Sequence, residues 1–233
     1  MSRQTAYRLR IILLFLASAE VLPCYTQSFR LSDITTLSPD KMLLNGRIWM
    51  NQYSKVTGTQ FYLTDKYLKG SVYIKGHKYD DLDLRYDICN DELVLKYETW
   101  PVIYMNKELV DSFSVSFDRT HKIINTGINR SGMFGGYVNL LYSGPTSLYV
   151  KYTKKIYPLG DNGLKDLFVE KHYVFLKKND KIVPVSNSKK FLKLLNDKKK
   201  EVRHFIKSKG YRVSSGKPET FVPILEFYDS LTN

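Results

Sequence analysis

The 233-residue chain carries 36 Lys and Arg against 23 Asp and Glu, a formal net charge of +13, with 43% hydrophobic and 14% aromatic residues. So much apolar and aromatic material excludes intrinsic disorder, whose signature is low hydrophobicity with few aromatics. The length suffices to bury a core without metal or disulfide staples, and the basic excess asks for an anionic partner.

Residues 1–26 read as a secretory signal peptide that is removed. Arg3, Arg8 and Arg10 precede the apolar run Ile11–Ala17, and Cys24 and Thr26 stand at positions −3 and −1 of a cut before Gln27. The run breaks at Glu20 and Pro23, short of the roughly 20 apolar residues that a spanning helix needs. No transmembrane segment is therefore expected in the mature chain. Lipidation at Cys24 is the weaker reading, because Pro23 occupies a position where such sites carry a small residue. Cleavage leaves Cys89 as the single cysteine, so no intramolecular disulfide is expected. Its neighbours Asp87 and Asp91 disfavour a thiolate, which points to a structural thiol.

Between residues 45 and 185 the period is two, in strand-length runs rich in Val, Ile, Tyr, Phe and Thr. Short strands are predicted at 46–52, 59–63, 70–75, 100–104, 112–118 and 121–125. The alternation is clearest from Tyr79 to Leu95, where Leu82, Leu84, Tyr86 and Ile88 interleave with Asp81, Asp83, Arg85 and Asp87, and Asn90-Asp91 supplies a turn. A second hairpin is predicted across Ser143–Thr146, with Val138, Leu140 and Tyr142 answered by Leu148, Val150 and Tyr152. A third spans Tyr173–Val185 around Asn179-Asp180.

Past Ser186 the period changes. Ser188 is read as the N-cap of a helix of about 20 residues whose apolar stripe is Phe191, Leu194, Leu195, Val202, Phe205 and Ile206, ending before Gly210. A second helix is predicted after Thr220, with Pro223 in its first turn. Strands followed by helices favour an α+β, mainly β fold: an antiparallel sheet of meandering hairpins, then two C-terminal helices. One domain over 27–233 is expected, with 187–232 as its helical portion. The short strands and helical end argue against a transmembrane barrel.

Motifs that carry chemistry are scarce. His77, His121, His172 and His204 are isolated in sequence and no zinc spacing occurs, so neither metal nor cofactor is expected. The acids Asp80, Asp81, Asp83, Asp87, Asp91 and Glu92 follow strand alternation and read as a solvated face. Three S-x-x-K matches look like chance in a Lys- and Ser-rich chain. The loop Gly127–Gly136 lacks the ending of a phosphate cradle, and its Arg130 and Ser131 are a second-choice binding surface.

One constellation stands above this background. On a continuous helix Lys189, Lys193, Lys200 and Lys207 fall on one side, opposite the apolar stripe, and form a cationic ridge. It suits an anionic envelope component: a lipid headgroup, a polysaccharide or an acidic protein. Export and the lack of a recognised module argue against nucleic acid. The mature chain holds 33 basic and 22 acidic residues, and the segment 187–212 alone accounts for +8 of that +11.

Three segments, Leu44-Asn45-Gly46-Arg47-Ile48-Trp49, Gly70–Ile88 and the tail ending Glu226-Phe227-Tyr228-Asp229, together resemble an uncharacterised family of exported proteins from Bacteroidota-type bacteria. The resemblance implies a periplasmic, outer-envelope or secreted setting and no activity. The expectation is a non-enzymatic binding or scaffolding domain. The alternative is a hydrolase or carbohydrate-active enzyme whose site assembles only in space, with Asp83 or Asp87 meeting a histidine in one pocket.

Overall fold

The structure is a computed structural model that describes residues 39–98, 100–127, 132–158 and 165–231. Residues 1–26, expected to be a leader, with Cys24, and the loop residues Arg130 and Ser131, lie outside the described residues. A short helix, α1 (Pro39–Leu43), precedes the sheet. The strands are β1 (Gly46–Ile48), β2 (Leu68–Ile74), β3 (His77–Asp87), β4 (Glu92–Lys96), β5 (Ile103–Met105), β6 (Val110–Ser116), β7 (Thr120–Asn125), β8 (Tyr137–Ser143), β9 (Ser147–Tyr157), β10 (Leu167–Lys178) and β11 (Lys181–Val185). They form one antiparallel sheet in the order β1-β5-β4-β3-β2-β6-β7-β8-β9-β10-β11. The mainly β, α+β class is thus as expected.

Turn chemistry explains the meander. Lys75 and Gly76 (φ 49° and 82°) join β2 to β3, and Asn179 and Asp180 (φ 48° and 58°) join β10 to β11. Positive φ at both central residues makes each a two-residue turn of the hand that matches strand twist. The sheet is strongly coiled. β3 and β8 stand four places apart, which in a flat sheet is about 19 Å, yet the rings of Tyr86 and Tyr137 meet edge-on at 5.7 Å. Phe113 of β6 closes the triangle, 5.1 Å from Tyr137. The backbone N–H of Lys154 on β9 donates to the Ile88 carbonyl just past β3. Inside this curl Asp91 binds Lys107 and Lys151 and accepts a hydrogen bond from the Tyr86 hydroxyl.

The helices cover the β8–β11 end. Leu148, Val150, Val174 and Leu176 pack against Phe191, Leu195, Val202, Phe221, Ile224, Leu225 and Tyr228 in one buried cluster. Each large apolar side chain buried here contributes about 2 kcal/mol relative to exposure. Phe191 stacks on Phe221 at 4.2 Å and Phe205 on Phe227 at 4.1 Å. Asp229 ties the last helix to the β8–β9 turn by accepting from the Tyr142 hydroxyl, the Thr146 hydroxyl and the Thr146 backbone N–H.

Several local expectations need correction: β1 stops at Ile48, β5 is confined to Ile103–Met105, and β10 begins at Leu167. Residues 59–63 form no strand. Only Phe61 bridges to Asp87, because Leu63 adopts φ 64° and the Thr64 N–H turns back to the Tyr62 carbonyl at 2.8 Å. That is a tight γ-turn, and it ends any extended run. A bulge between Leu140 and Tyr142 keeps Tyr142 opposite Leu148 but sets Asn139, not Leu140, opposite Val150. Val138 consequently packs with Phe134 and Phe175 on the other face. The first long helix is broken into α2 (Ser188–Leu194), a 3₁₀ turn (Asn196–Lys198) and α3 (Lys199–Lys209). Its N-cap is Asn187, whose side chain accepts from the Lys190 N–H, and not Ser188. Ser188 instead donates to the Val213 carbonyl. Gly210 ends α3 in the left-handed conformation as expected, and Pro223 sits in the first turn of α4 (Val222–Ser230).

Candidate functional site

The break between α2 and α3 decides what the basic segment presents. Leu195 (φ −101°, ψ 25°) and Lys198 (φ −121°, ψ 37°) leave helical geometry, so the 100° per residue phase is lost between the two helices. Lys189 and Lys193 of α2 therefore meet Lys199 and Arg203 of α3 across a groove of about 440 Å³ floored by Leu192, Leu195 and Val202. Lys200 and Lys207 do not line it. Of the four sequence-selected lysines, two share the groove, and Lys199 and Arg203 replace the others.

The groove is both charged and apolar. Leu195 and Val202 are buried, whereas Lys189, Lys193, Lys199 and Arg203 are exposed. Among the described residues none of these four cations takes part in an ion pair. The nearby Asp197 is already engaged by Lys178 and by the Tyr228 hydroxyl, and it does not neutralise the groove. Burial works to raise the Asp197 pKa, but the Lys178 and Tyr228 hydrogen bonds prevail and hold it below the usual carboxylate range.

A second concavity, about 320 Å³, surrounds His121. His121 Nε2 lies 2.7 Å from Asp118 Oδ1, and Nδ1 lies 3.1 Å from the Tyr62 hydroxyl, to which Asn139 also donates at 2.6 Å. A carboxylate only accepts, so a neutral ring satisfies both neighbours with its proton on Nε2 and Tyr62 donating to Nδ1. Burial pushes the Tyr62 hydroxyl far up and the Tyr152 hydroxyl up to about 12. Both are proton donors and not nucleophiles at neutral pH. The charged rim is internally matched: Arg119 pairs with Glu219 and Lys154 with Glu170. This site escaped the sequence because its members lie up to 157 residues apart in Tyr62, Asp118, His121, Glu170 and Glu219.

The expected meeting of Asp83 or Asp87 with a histidine does not occur. Asp83 pairs with Lys69 on the surface. Asp87 is fully buried and accepts from Gln60 Nε2, Asn90 Nδ2 and the backbone N–H groups of Cys89 and Asn90, an arrangement that shapes the turn. Burial first, and then Asp87, raises the Cys89 thiol pKa, as a structural thiol requires. Among the described residues no group of three His, Cys, Asp or Glu side chains is placed to hold a metal ion. No helix among them is long and apolar enough to cross a membrane. Compared with known proteins, the chain matches no family model, no curated protein and no solved structure.

Proposed function

We propose that this is an exported, non-enzymatic binding or scaffolding domain of the bacterial envelope whose helical end holds an anionic component, with a lipid headgroup as the best fit. The supporting observation is the groove between α2 and α3, where four cations without ion-pair partners among the described residues ring an apolar floor. A polysaccharide would use the cations alone. A lipid phosphate with the first methylenes of its chain uses cations and floor together. The leader and the family resemblance support the envelope setting. A hydrolytic reading would rest on the concavity at His121, where the charged groups are already matched to one another.

Co-sedimentation with vesicles tests the proposal. The chain should bind phosphatidylcholine vesicles containing phosphatidylglycerol at low salt, release them as ionic strength rises past roughly 0.15 M, and ignore pure phosphatidylcholine. Equal binding to both vesicle types, or no binding to either, would end the proposal.

A further inference from the structure

β10 is the longest strand, twelve residues, yet β11 pairs with only its last five, Val174 to Lys178. At the other end Thr57 bridges Leu167, its N–H donating to the Asp166 carbonyl and its carbonyl accepting from the Phe168 N–H. Between Leu167 and Val174 no backbone of the described residues is hydrogen-bonded on that side, although the Ser215 carbonyl lies 2.9 Å from the His172 side chain and Ser215 and Gly216 line the adjoining cavity. The turn at Asn179-Asp180 makes Lys178 and Lys181 a hydrogen-bonded pair, so even-numbered residues of β10 aim their backbone groups toward β11. The Phe168–Thr57 bond has the same parity. The N–H and C=O of Glu170 and His172 therefore face outward with no backbone partner among the described residues.

Of the usual devices that blunt an edge, this one carries charge alone, at Glu170 and Lys171. β11 carries Pro184 where its N would point away from the sheet, which blocks further pairing on its own outer side. The stretch Val169–Tyr173 carries no proline and no bulge against β9. In line with the end of β11 lies a largely apolar cavity of about 610 Å³, bounded by Met133, Tyr173, Phe175 and Pro184. Open backbone donors and acceptors beside an apolar pocket are the two elements of recognition by strand addition.

Charge selects the occupant. On the face of β10 that carries Tyr173 and Phe175, the slot presents Lys171, with Lys155 beside it across from Val169. Among the described residues neither lysine is in an ion pair, whereas Glu170 on the opposite face is paired to Lys154. We infer that β10 accepts a short extended peptide segment of a partner protein, which fills the missing length of β11 and carries an acidic residue against Lys171. Two residues along, on the same face, an apolar side chain of that segment enters the cavity beside Tyr173.

A displayed library of random seven-residue peptides, panned against the full chain, tests this. The expected enrichment is an acidic and an apolar residue separated by one position. A synthetic copy of the leading peptide should lose tenfold or more in affinity when its backbone is N-methylated at alternate residues, and should lose as much against Glu170→Pro, whose missing N–H faces away from β9. Lys171→Glu should shift the enriched charge from acidic to basic. No enrichment, affinity indifferent to N-methylation, or an unchanged charge preference with Lys171→Glu would each overturn the inference. So would saturation of the edge by a second copy of the chain, seen as a dimer that Glu170→Pro dissolves.

Discussion

Removing the carboxylate of Asp91 should be among the most costly single changes in the sheet. Asp91 closes the β3–β4 turn and there holds the ammonium groups of Lys107 and Lys151, the Tyr86 hydroxyl and the Tyr137 backbone N–H. The Lys151 side chain is only 7% exposed, so Asp91→Asn strands a buried cation with a second lysine beside it. Breaking a buried pair from one side costs about 3–5 kcal/mol. For a chain of this size that is a fall in Tm of roughly 6–20 °C. Replacing both partners, Asp91→Asn with Lys151→Met, removes the stranded charge and should recover about 2 kcal/mol of the summed single losses. Burial works to raise the Asp91 pKa, but Lys151 and Lys107 outweigh it and hold the carboxyl low. A depressed carboxyl pKa gives stability that is present above the unfolded value of about 3.9 and lost as pH falls through the folded value. The wild-type and Asp91→Asn curves should therefore converge in acid. Urea unfolding followed by tryptophan fluorescence from pH 7 downward measures all of this. A single-variant cost below about 1 kcal/mol at pH 7, or strictly additive losses in the double variant, would refute the reasoning.

Other substitutions probe separate joints. Asp229→Ala should cost about 3 kcal/mol in urea unfolding, because the Tyr142 and Thr146 donors it satisfies sit in a buried setting. Asp229→Asn should retain part of that loss as stability. Gly136→Ala should destabilise by more than about 1 kcal/mol, since the position has φ 77° and an added Cβ would collide with the Asp91 carboxylate. Its effect should shrink in the Asp91→Ala background, which removes the colliding carboxylate atoms, if the collision, and not backbone strain alone, dominates.

Much of the fold was legible because it rests on local codes. The alternation from Leu82 to Tyr86, the two-residue turn at Asn179-Asp180 and the stop at Gly210 each act within a few residues and appear where the pattern places them, whereas Asp81 (φ 56°) sits in a bulge and Asp87, expected on the solvated face, is fully buried. The misses share a different physics. The γ-turn at Leu63 and the bulge at Leu141 are backbone departures that no side-chain period announces. The break at Asn196–Lys198 falls in a run, Asn196-Asp197-Lys198-Lys199-Lys200, that is polar throughout. There the 3.6-residue stripe has no apolar marker to reveal a phase change, and the ridge extrapolated across it joined lysines that the groove does not share. The first arm of β10, Leu167–His172, is likewise hidden from the pattern, because its consecutive Glu170 and Lys171 are exposed and polar. Tyr62 and His121 are joined only by the coiling of the sheet, a property of long-range contacts.

The central claim is that the groove, and not the positive charge of the segment at large, binds the anionic component. A lysine or arginine close to an anionic surface contributes about 1 kcal/mol. Changing Lys189, Lys193, Lys199 and Arg203 together to Gln should therefore weaken binding to phosphatidylglycerol-containing vesicles by roughly a thousandfold at low salt, with unfolding curves unchanged. Lys200→Gln with Lys207→Gln alters two cations of the same helix outside the groove and should cost less than about tenfold. The most direct measurement is the ratio of vesicle partition coefficients for these two variants. A ratio of a hundred or more in favour of the Lys200/Lys207 variant agrees with the account, and equal partitioning of the two contradicts it.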